Sequence, residues 1–521
     1  MSGFLSRVRA VVVADLRIRF RRVSTLVIFL LLSGLAYVWV PDPASGMTLI
    51  VSGGRRALYN SAAIGMGTAS LATIFIGLAG FYVVSNAIRR DVTSRCGFVI
   101  ASTTMRGTEY LFGKFAGNVV FLATFMSGFM ITSMAMLLVR NEARLEPLVF
   151  MRQYALLVPS SIMFVSGLAI LFESMPFLSG KFGDVLYFFL WAATLGFVAA
   201  MIENGKSPGF AAYFDFTGFG FLFDTLKRTL HTTEMAIGHT PFDRAKPPFV
   251  FPGLQFARGW LLPRVFATIA PLALVAVARP FFHRFDPARV KRGAEKSSRN
   301  WISRLGAFAK PFTKLAWRVA PRGGDSLAGA AWTDAMMTLT SAPLIVVVAI
   351  GFAIAGLAGQ PKAVMPIAFA AAAVVIADIA CREKQAGTIG LIFTSPRLKS
   401  GFIWWKLMSA TWIAALVLLV PSIRLIIARP QAAVNVIVGM MFIVACATML
   451  AVVSANPKTF LVLFLTFWYV VVNDGGHLPA LDFAGWNGLA TPAVLASYFA
   501  LSIGAIVAAE LFHRTDLRRN Y

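Results

Sequence analysis

The sequence contains few cysteines, few histidines and few acidic residues. Its 521 residues include three cysteines, five histidines and 23 aspartates and glutamates, against 48 lysines and arginines. The cysteines, Cys96, Cys381 and Cys446, are isolated from one another and show no metal-ligand spacing. They therefore indicate neither a disulfide framework nor a metal site, and they do not report the redox compartment.

Charge of either sign is also scarce. Only 14% of the residues are charged and 58% are hydrophobic, with a mean hydropathy of +0.73, which is more apolar surface than a soluble core could hide. The net charge of +25 could suggest a nucleic-acid binder, but the basic residues mainly flank apolar runs, as membrane topology requires. We therefore expect a lipid bilayer around the chain and no nucleic-acid partner.

Twelve apolar runs account for most of this hydrophobicity, and each is near the roughly 20 residues that cross a hydrocarbon core. They lie at about 23–40, 62–88, 115–139, 154–172, 185–202, 261–278, 343–358, 363–381, 405–428, 432–453, 459–472 and 490–512. The runs predict an all-α polytopic membrane protein with about 12 transmembrane helices in two six-helix repeats. The predicted six-span domains are residues 1–286 and 326–521, joined by a basic linker at 287–325.

The N-terminus is broken by charges every few residues, so it lacks the apolar core of a signal peptide. From Leu5 to Phe20 the apolar residues recur every three or four positions, which predicts an amphipathic helix on the cytoplasmic membrane surface. With twelve spans, the connections richest in lysine and arginine fall on one side of the membrane. This bias predicts that both termini are cytoplasmic.

The linker repeats the amphipathic pattern. Apolar residues from Trp301 to Val319 predict a second interfacial helix that tethers the halves, which Pro311 can kink, and a disordered linker is the alternative. The segment from Trp332 to Leu339 corresponds to the first amphipathic helix. We expect half two to begin there, again on the cytoplasmic side.

Two connections on the opposite side differ in length. Residues 203–260 form a long aromatic segment that we expect to fold on the outer surface with short helices. The shorter counterpart, residues 473–488, contains Gly475-Gly476 and Pro479 after a short apolar run. A re-entrant hairpin and a short span with an ordinary loop both fit this pattern.

A polar interval between two apolar runs, Arg89 to Lys114, returns at Cys381 to Lys406. Aligned without a gap, the intervals pair Arg90 with Arg382, Asp91 with Glu383, Ile100 with Ile392, Ser102 with Thr394 and Lys114 with Lys406. The offset is constant, since 383−91 and 406−114 both give 292. A second repeated motif lies near the end of each half, FHRFD at 282–286 and FHRTD at 512–516. The chain therefore has the pattern of two versions of one membrane unit.

Hydroxyl residues near the middle of each interval predict a helix break. We expect Ser102, Thr103 and Thr104 in the first interval, and Thr394 and Ser395 before Pro396 in the second, to N-cap a new helix. The result would be a short helix against the cytoplasmic face of the membrane.

These intervals resemble the coupling regions of type-2 ABC exporter permeases. That family's pattern is an acidic residue, a Gly-Thr or equivalent, an Ile/Leu-x-Ser/Thr-x-Pro segment and then a Lys or Arg. The second interval matches it at Glu383, Gly387, Thr388, Ile392, Ser395, Pro396 and Lys406. The first interval keeps Asp91, Ser102, Tyr110, Leu111, Gly113 and Lys114, with Thr104 in place of the proline and Gly97 displaced.

The resemblance implies a permease whose coupling segments dock onto separate ATPase subunits, two per chain. ATP and Mg would bind in those partners, since the chain has no GxxxxGK[ST] motif and no cofactor of its own is expected. The implied location is the bacterial cytoplasmic membrane, and the implied substrate is apolar or amphipathic. The implied coupling residues are Arg90, Asp91, Ser102, Thr103, Lys114, Arg382, Glu383, Gly387, Thr388, Thr394, Ser395, Pro396 and Lys406.

The acids of the two intervals have more than one interpretation. Asp91 and Glu383 could pair with cations of the ATPase or fix the coupling helix by capping it, or they could simply mark a membrane boundary. Three charges, Asp378, Arg424 and Glu510, fall near the ends of predicted spans, where substrate contact, snorkelling and boundary error all fit.

His283 and His513, in the repeated FHRxD ending, fit a helix-terminal cap at the membrane surface better than proton transfer or metal binding. Two other functions remain open for the whole chain. A secondary transporter would require coupling charges deep in the spans, which are nearly free of them, and a membrane scaffold would move nothing.

Overall fold

A computed structural model describes residues 2–21, 23–175, 178, 181–203, 209–230, 235–255, 258–282, 285, 326–341, 344–473 and 478–520. The predicted linker helix at 301–319 and His283 lie outside the described residues. The chain divides into two compact units, residues 1–294 and 295–521, and each is considered by itself.

The first unit is mainly helical. Its helices are α1 (Ser2–Phe20), α2 (Val23–Trp39), α3 (Ser61–Phe75), α4 (Phe81–Val84), α5 (Ala87–Thr93), α6 (Cys96–Ser102), α7 (Gly107–Arg140), α8 (Pro147–Ser174), α9 (Lys181–Glu203), α10 (Phe219–Leu230), α11 (Leu261–Ile269) and α12 (Leu272–Ala278). A π-helical turn, Ile76–Gly80, joins α3 to α4. Short 3-10 helices cover Pro43–Ser45, Phe210–Phe214, Arg258–Trp260 and Arg279–Phe281.

The second unit is also mainly helical and has fewer elements. Its helices are α13 (Leu327–Ser341), α14 (Leu344–Ala358), α15 (Pro361–Ile376), α16 (Arg382–Ala386), α17 (Ile389–Ile392), α18 (Pro396–Ser400), α19 (Phe402–Ala428), α20 (Ala432–Ser454), α21 (Pro457–Asn473) and α22 (Pro492–Asn520). A 3-10 helix covers Pro479–Leu481.

Several helices are long and apolar enough to cross a membrane, so the chain has the structure of a multi-pass membrane protein. Within the described residues there are seven of them: Ser61–Val92, Gly107–Arg140, Pro147–Ser174, Leu261–Phe281, Phe402–Ala428, Ala432–Ser454 and Pro492–Arg518. The pair Leu327–Thr340 and Ile345–Ala358, bent by 88°, would make an eighth. Each of the twelve apolar runs in the sequence overlaps a helix, but the described residues contain seven or eight candidate spans and not twelve.

A small β-sheet at one end of the first unit departs from the all-α prediction. Strands β1 (Met47–Ser52), β2 (Arg55–Arg56) and β3 (Met235–Pro241) form an antiparallel sheet in the order β2-β1-β3. The β-branched residues of β1 favour an extended chain. Residues 203–260 therefore contain short helices, as predicted, together with a strand that pairs with the connection after α2.

Each unit also contains an Asp-Phe-x-Gly turn shortly before its last helices. In the first turn, the Asp215 carboxylate accepts hydrogen bonds from the amides of Gly218 (3.0 Å) and Phe221 (2.9 Å). In the second, Asp482 accepts from the amides of Asn487 (3.2 Å) and Leu489 (2.8 Å).

The glycines of these turns, Gly218 (φ 81°) and Gly485 (φ 74°), are both in the left-handed region. Phe483 of the second turn is fully buried and meets the rings of Phe369 (5.4 Å between centroids) and Phe442 (5.9 Å). Residues 478–488 thus fold back against helices of their unit.

Candidate functional site

The buried carboxylate of Asp15, on α1, joins three cations from different parts of the first unit. Its oxygens lie 2.6 Å from Arg19 Nε and 3.1 Å from Lys114 Nζ, and one of them accepts a hydrogen bond from Arg90. The same lysine reaches Asp91, whose Oδ2 is 2.8 Å from Lys114 Nζ. We call these five residues the first lysine cluster.

The cluster connects three elements. It ties α1 to α5, which carries Arg90 and Asp91, and to the first turns of α7, which carry Lys114. Tyr110, one turn earlier on α7, donates its hydroxyl to Asp91 Oδ2 at 2.8 Å. Glycine permits the close approach of α1 to α7, because a Cβ at Gly113 would lie 2.7 Å from Val11 Cβ.

Electrostatics keep Asp15 charged. Burial acts to raise the pKa of this carboxyl, but Arg19, Lys114 and Arg90 outweigh it and hold the pKa below its ordinary value of 3.8. Burial lowers the pKa of the Arg19 guanidinium, and the Asp15 carboxylate opposes that shift. The first cluster is therefore a set of mutually dependent charges in a site with little water.

The second unit contains a corresponding set of residues. Lys406 Nζ lies 3.1 Å from Asp334 Oδ1 and also donates to Glu383 Oε1. Ser409 donates its hydroxyl to Asp334 Oδ2 at 2.6 Å. Arg382 lies farther off, at 3.9 Å from Asp334 Oδ1, and we call Asp334, Arg382, Glu383 and Lys406 the second lysine cluster.

The second cluster has the connections of the first. Asp334 is on α13, Glu383 on α16, and Lys406 near the start of the long helix α19. The segment from Trp332 to Leu339 therefore contacts α19 in the way that α1 contacts α7. The sequence alignment at an offset of 292 places the two lysines and the two acids at equivalent points.

Between the acid and the lysine, both intervals contain a left-handed residue followed by a short helix, and the second interval adds a further short helix, α18. Arg95 (φ 60°) and Gly387 (φ 71°) are 292 positions apart, and both are in the left-handed region. The short helices α6 and α17 come next, and their apolar tips face outward, with Val99 67% and Leu391 75% exposed. We call residues 87–102 and 382–400 the first and second brackets. Each bracket is held by buried charges and has an exposed apolar side chain at its tip.

The predicted N-capping role of the hydroxyl residues is wrong for Ser102, Thr103 and Thr394. Their hydroxyls donate backward, to the carbonyls of Val99 (2.8 Å), Ile100 (2.7 Å) and Leu391 (2.7 Å). These bonds close the preceding short helix, since an exposed hydroxyl reaches the carbonyl three residues back. The N-cap of α7 is instead Arg106, whose amide donates to the Glu109 carboxylate at 2.7 Å.

Ser395, Thr388 and Pro396 lie closer to their predicted places. Ser395 is the N-cap residue of α18 and Thr388 that of α17, but neither side chain makes a capping hydrogen bond. Pro396 is at the first position of α18, where its missing N–H costs nothing.

Of the acids considered, Asp91 and Glu383 are buried and each is bound to a lysine of this chain. Their carboxylates fix the brackets from within, and pairing with a partner's cation would require these bonds to break. The exposed residues of the brackets are the ones placed to meet a partner.

The other charged candidates lie elsewhere. Asp378 Oδ1 is 3.6 Å from Arg382 Nη2, one turn away, so it belongs beside the second cluster. Glu510 pairs with Arg514 at 2.8 Å on α22, and Arg424 is exposed on α19. Asp378 and Glu510 are thus partly buried beside an arginine four residues further along the chain.

The repeated FHRxD endings pack against the brackets. In the first unit, Phe282 stacks on Tyr110 with 5.3 Å between ring centroids, and Phe285 fills the space that Gly97 leaves open. In the second unit, the buried His513 stacks on Phe402 at 5.2 Å, and its Nε2 lies 2.9 Å from the Lys399 carbonyl oxygen. The histidine holds α18 to α22, a structural role.

Sequence reasoning missed Asp15 and Asp334. Both are acids in otherwise basic or apolar helices, at equivalent points of the two predicted amphipathic segments. An isolated acid in such a helix was therefore the signal that could have identified them. The two acids are 319 positions apart (334−15), not 292 as in the rest of the repeat, so the gapless alignment did not pair them. No group of three or more metal-ligating side chains occurs in the part of the chain that the structure describes.

Comparison with known proteins adds no relatives: no protein-family model, curated protein or solved structure matches the chain.

Proposed function

We propose that the chain is the membrane subunit of an ATP-driven exporter of the type-2 ABC class. Residues 87–102 and 382–400 would be its two coupling segments, and ATPase subunits, one per segment, would supply ATP and Mg. The chain itself would be a transport subunit without catalytic residues. Its twelve helical segments would form two six-span repeats in a bacterial cytoplasmic membrane, with both termini in the cytoplasm.

One observation carries this proposal: each unit holds a short exposed segment rigidly against its long helix through a buried lysine. Lys114 and Lys406 each bind an acid at the start of the segment and an acid on the preceding amphipathic helix. A force applied to the exposed tip would reach α7 or α19 through these bonds. This is the mechanical property that a coupling segment requires.

The parallel between the two units supports the duplicated architecture. Three features recur in chain order, namely the lysine cluster, the Asp-Phe-x-Gly turn and the FHRxD ending. A protein with two such units would present two docking segments, which fits two ATPase subunits. Apolar or amphipathic molecules are the expected substrates because the helices offer few unpaired charges.

The experiment alters the exposed tips and leaves the buried clusters intact. Val99→Asp and Leu391→Asp together place a charge on each tip, and both side chains are exposed, so the fold should persist. We expect an ATPase to copurify with the wild-type chain in mild detergent and at least tenfold less of it with the double variant. The unfolding midpoint should be unchanged.

A matched control uses Val250→Asp and Leu478→Asp, at residues that are 66% and 56% exposed. Val250 lies near the far end of α7, since Phe249 donates its amide to Arg56, whose guanidinium binds Glu142 just after α7. Helix α7 is about 50 Å long. The control should retain the ATPase. A folded wild-type chain that recruits no ATPase would instead favour the secondary transporter or the scaffold.

A further inference from the structure

The first coupling segment has an attachment that the second lacks. Glu173, the penultimate residue of α8, extends its carboxylate to the start of α5. It accepts hydrogen bonds from the amides of Ala87 (3.0 Å), Ile88 (2.6 Å) and Arg89 (3.3 Å). The carboxylate thus satisfies three amides that the helix itself leaves without acceptors.

This cap replaces one that α5 cannot make for itself. The N-cap residue of α5, Asn86, has a left-handed backbone (φ 75°), and its side chain makes no capping hydrogen bond. A carboxylate at a helix N-terminus is also favoured by the partial positive charge there. The start of α5 therefore depends on a side chain from another span.

The segment fixed in this way carries Arg90 and Asp91 of the first lysine cluster. Glu173 also interacts electrostatically with Arg19 of that cluster. With Glu173 included, three acids balance three cations: Asp15, Asp91 and Glu173 against Arg19, Arg90 and Lys114. Glu173 therefore belongs to the charge balance of the cluster as well as to its geometry.

The second unit has no corresponding cap among its described residues. The N-cap of α16 is Cys381, without a side-chain capping bond, and the residue 292 positions after Glu173 is Leu465. Outside its cluster, α16 is attached by exposed side chains: Lys384 lies 3.0 Å from Asp516 on α22, and Gln385 donates to the Ala455 carbonyl at 3.0 Å. The two segments thus differ in how a further helix holds them: α8 binds three backbone amides of the first, whereas α22 contacts an exposed side chain of the second.

We propose that Glu173 is a positioning residue that makes α8 and the first coupling segment move as one body. This rests on the proposed function, because it assigns a mechanical role within ATP-driven coupling. Nucleotide-driven displacement of α5 would be transmitted to α8 through the three capping bonds. The same displacement at α16 would reach α22 only through the exposed Lys384–Asp516 pair, which solvent weakens.

The test is hydrogen–deuterium exchange of the purified complex with its ATPase, with and without ATP and vanadate. Glu173→Ala removes the acceptor, and Glu146→Gln, at the exposed far end of the same helix, is the control. We expect the amides of residues 87–89 to exchange at least tenfold faster in Glu173→Ala and at the wild-type rate in the control. In wild type, ATP and vanadate should change exchange in both α5 and residues 165–174, and in Glu173→Ala in α5 alone.

The outcomes separate the two proposals. Wild-type protein that carries no ATPase would sink the proposed function and the coupling role of Glu173 with it. An ATPase that binds Glu173→Ala normally, with α5 and α8 still responding together to nucleotide, would overturn the role of Glu173 alone. Glu173→Asp, which keeps the charge one methylene shorter, should restore part of the protection at residues 87–89.

Discussion

The two lysine clusters have the same plan but different redundancy. In the first, Asp15 has three cations within 3.1 Å, from Arg19, Arg90 and Lys114. In the second, Asp334 and Glu383 share Lys406, and the nearest arginine nitrogen is 3.9 Å from Asp334. The fully buried Lys406 is thus the central charge of its cluster, whereas Lys114 is one of three.

The two clusters differ in how many cations pair with their buried acids. A buried acid is tolerable only when paired, so the second unit depends on a single side chain for two acids. The first unit spreads the same task over three cations and can tolerate the loss of one. We therefore expect equivalent substitutions in the two units to have unequal effects.

Lys406→Met should have the largest effect. It leaves the Asp334 and Glu383 carboxylates buried without their shared cation, which should cost about 3–5 kcal/mol of the free energy of unfolding. The measurement is detergent-based unfolding followed by tryptophan fluorescence. Adding Glu383→Gln to this variant should recover part of the loss, because one uncompensated charge is removed.

The exposed Lys362 supplies the control, since Lys362→Met removes a lysine from the same unit without unpairing a buried acid. It should change stability by less than about 0.5 kcal/mol. A Lys406→Met protein as stable as this control would show that water reaches the second cluster and screens its acids.

Lys114→Met should have a smaller effect. Asp15 keeps Arg19 and Arg90, and Asp91 keeps the hydroxyl of Tyr110 at 2.8 Å. We expect a loss of about 1.5–3 kcal/mol, the range for a hydrogen bond to a charged group, in the same unfolding measurement. Lys227→Met, at an exposed lysine of the first unit, is the control. Equal losses of unfolding free energy in Lys114→Met and Lys406→Met would contradict the difference between the clusters.

Two features of the sequence predicted the helices and the two brackets: the length of the apolar runs and the gapless repeat of the polar interval. The sequence placed Arg90, Asp91 and Lys114 together in one interval, and the structure brings them into one cluster. It could not supply Asp15, whose contact with Lys114 spans about a hundred residues and follows from how α1 packs on α7. The hydroxyl caps failed for a similar reason: Thr103 donates back to Ile100 and accepts from the Met105 amide, and the backbone course alone decides that α7 begins after Arg106.

Acid should weaken the first cluster through Asp15. The folded-state pKa of this carboxyl lies below its ordinary value of 3.8, so its stabilising effect is fully present above about pH 4. The effect is lost as pH falls from there toward the lower pKa of the folded state. Wild-type unfolding midpoints should therefore fall more steeply between pH 5 and pH 3 than those of Asp15→Asn, which has no carboxyl to protonate.

Glu146→Gln is the matched comparison for this titration, because Glu146 is exposed at the opposite end of the first unit. Its curve should run parallel to that of wild type. An Asp15→Asn curve as steep as wild type would mean that other carboxyls govern acid unfolding.

The smallest predicted effect concerns the backbone shared by the two brackets. Arg95 and Gly387 occupy the left-handed region at equivalent positions, which glycine adopts freely and other L-residues adopt at a cost of about 1–2 kcal/mol. Arg95→Gly should therefore stabilise the protein, but only by about 0.5–1 kcal/mol, because glycine also makes the unfolded chain more flexible. Gly387→Ala should destabilise it by about 1 kcal/mol, and since a Cβ there meets nothing within 4 Å, the loss would come from backbone conformation alone. Arg95→Ala removes the same side chain without relieving the backbone, so a gain equal to that of Arg95→Gly would show that the arginine side chain, and not its φ angle, distinguishes the two brackets.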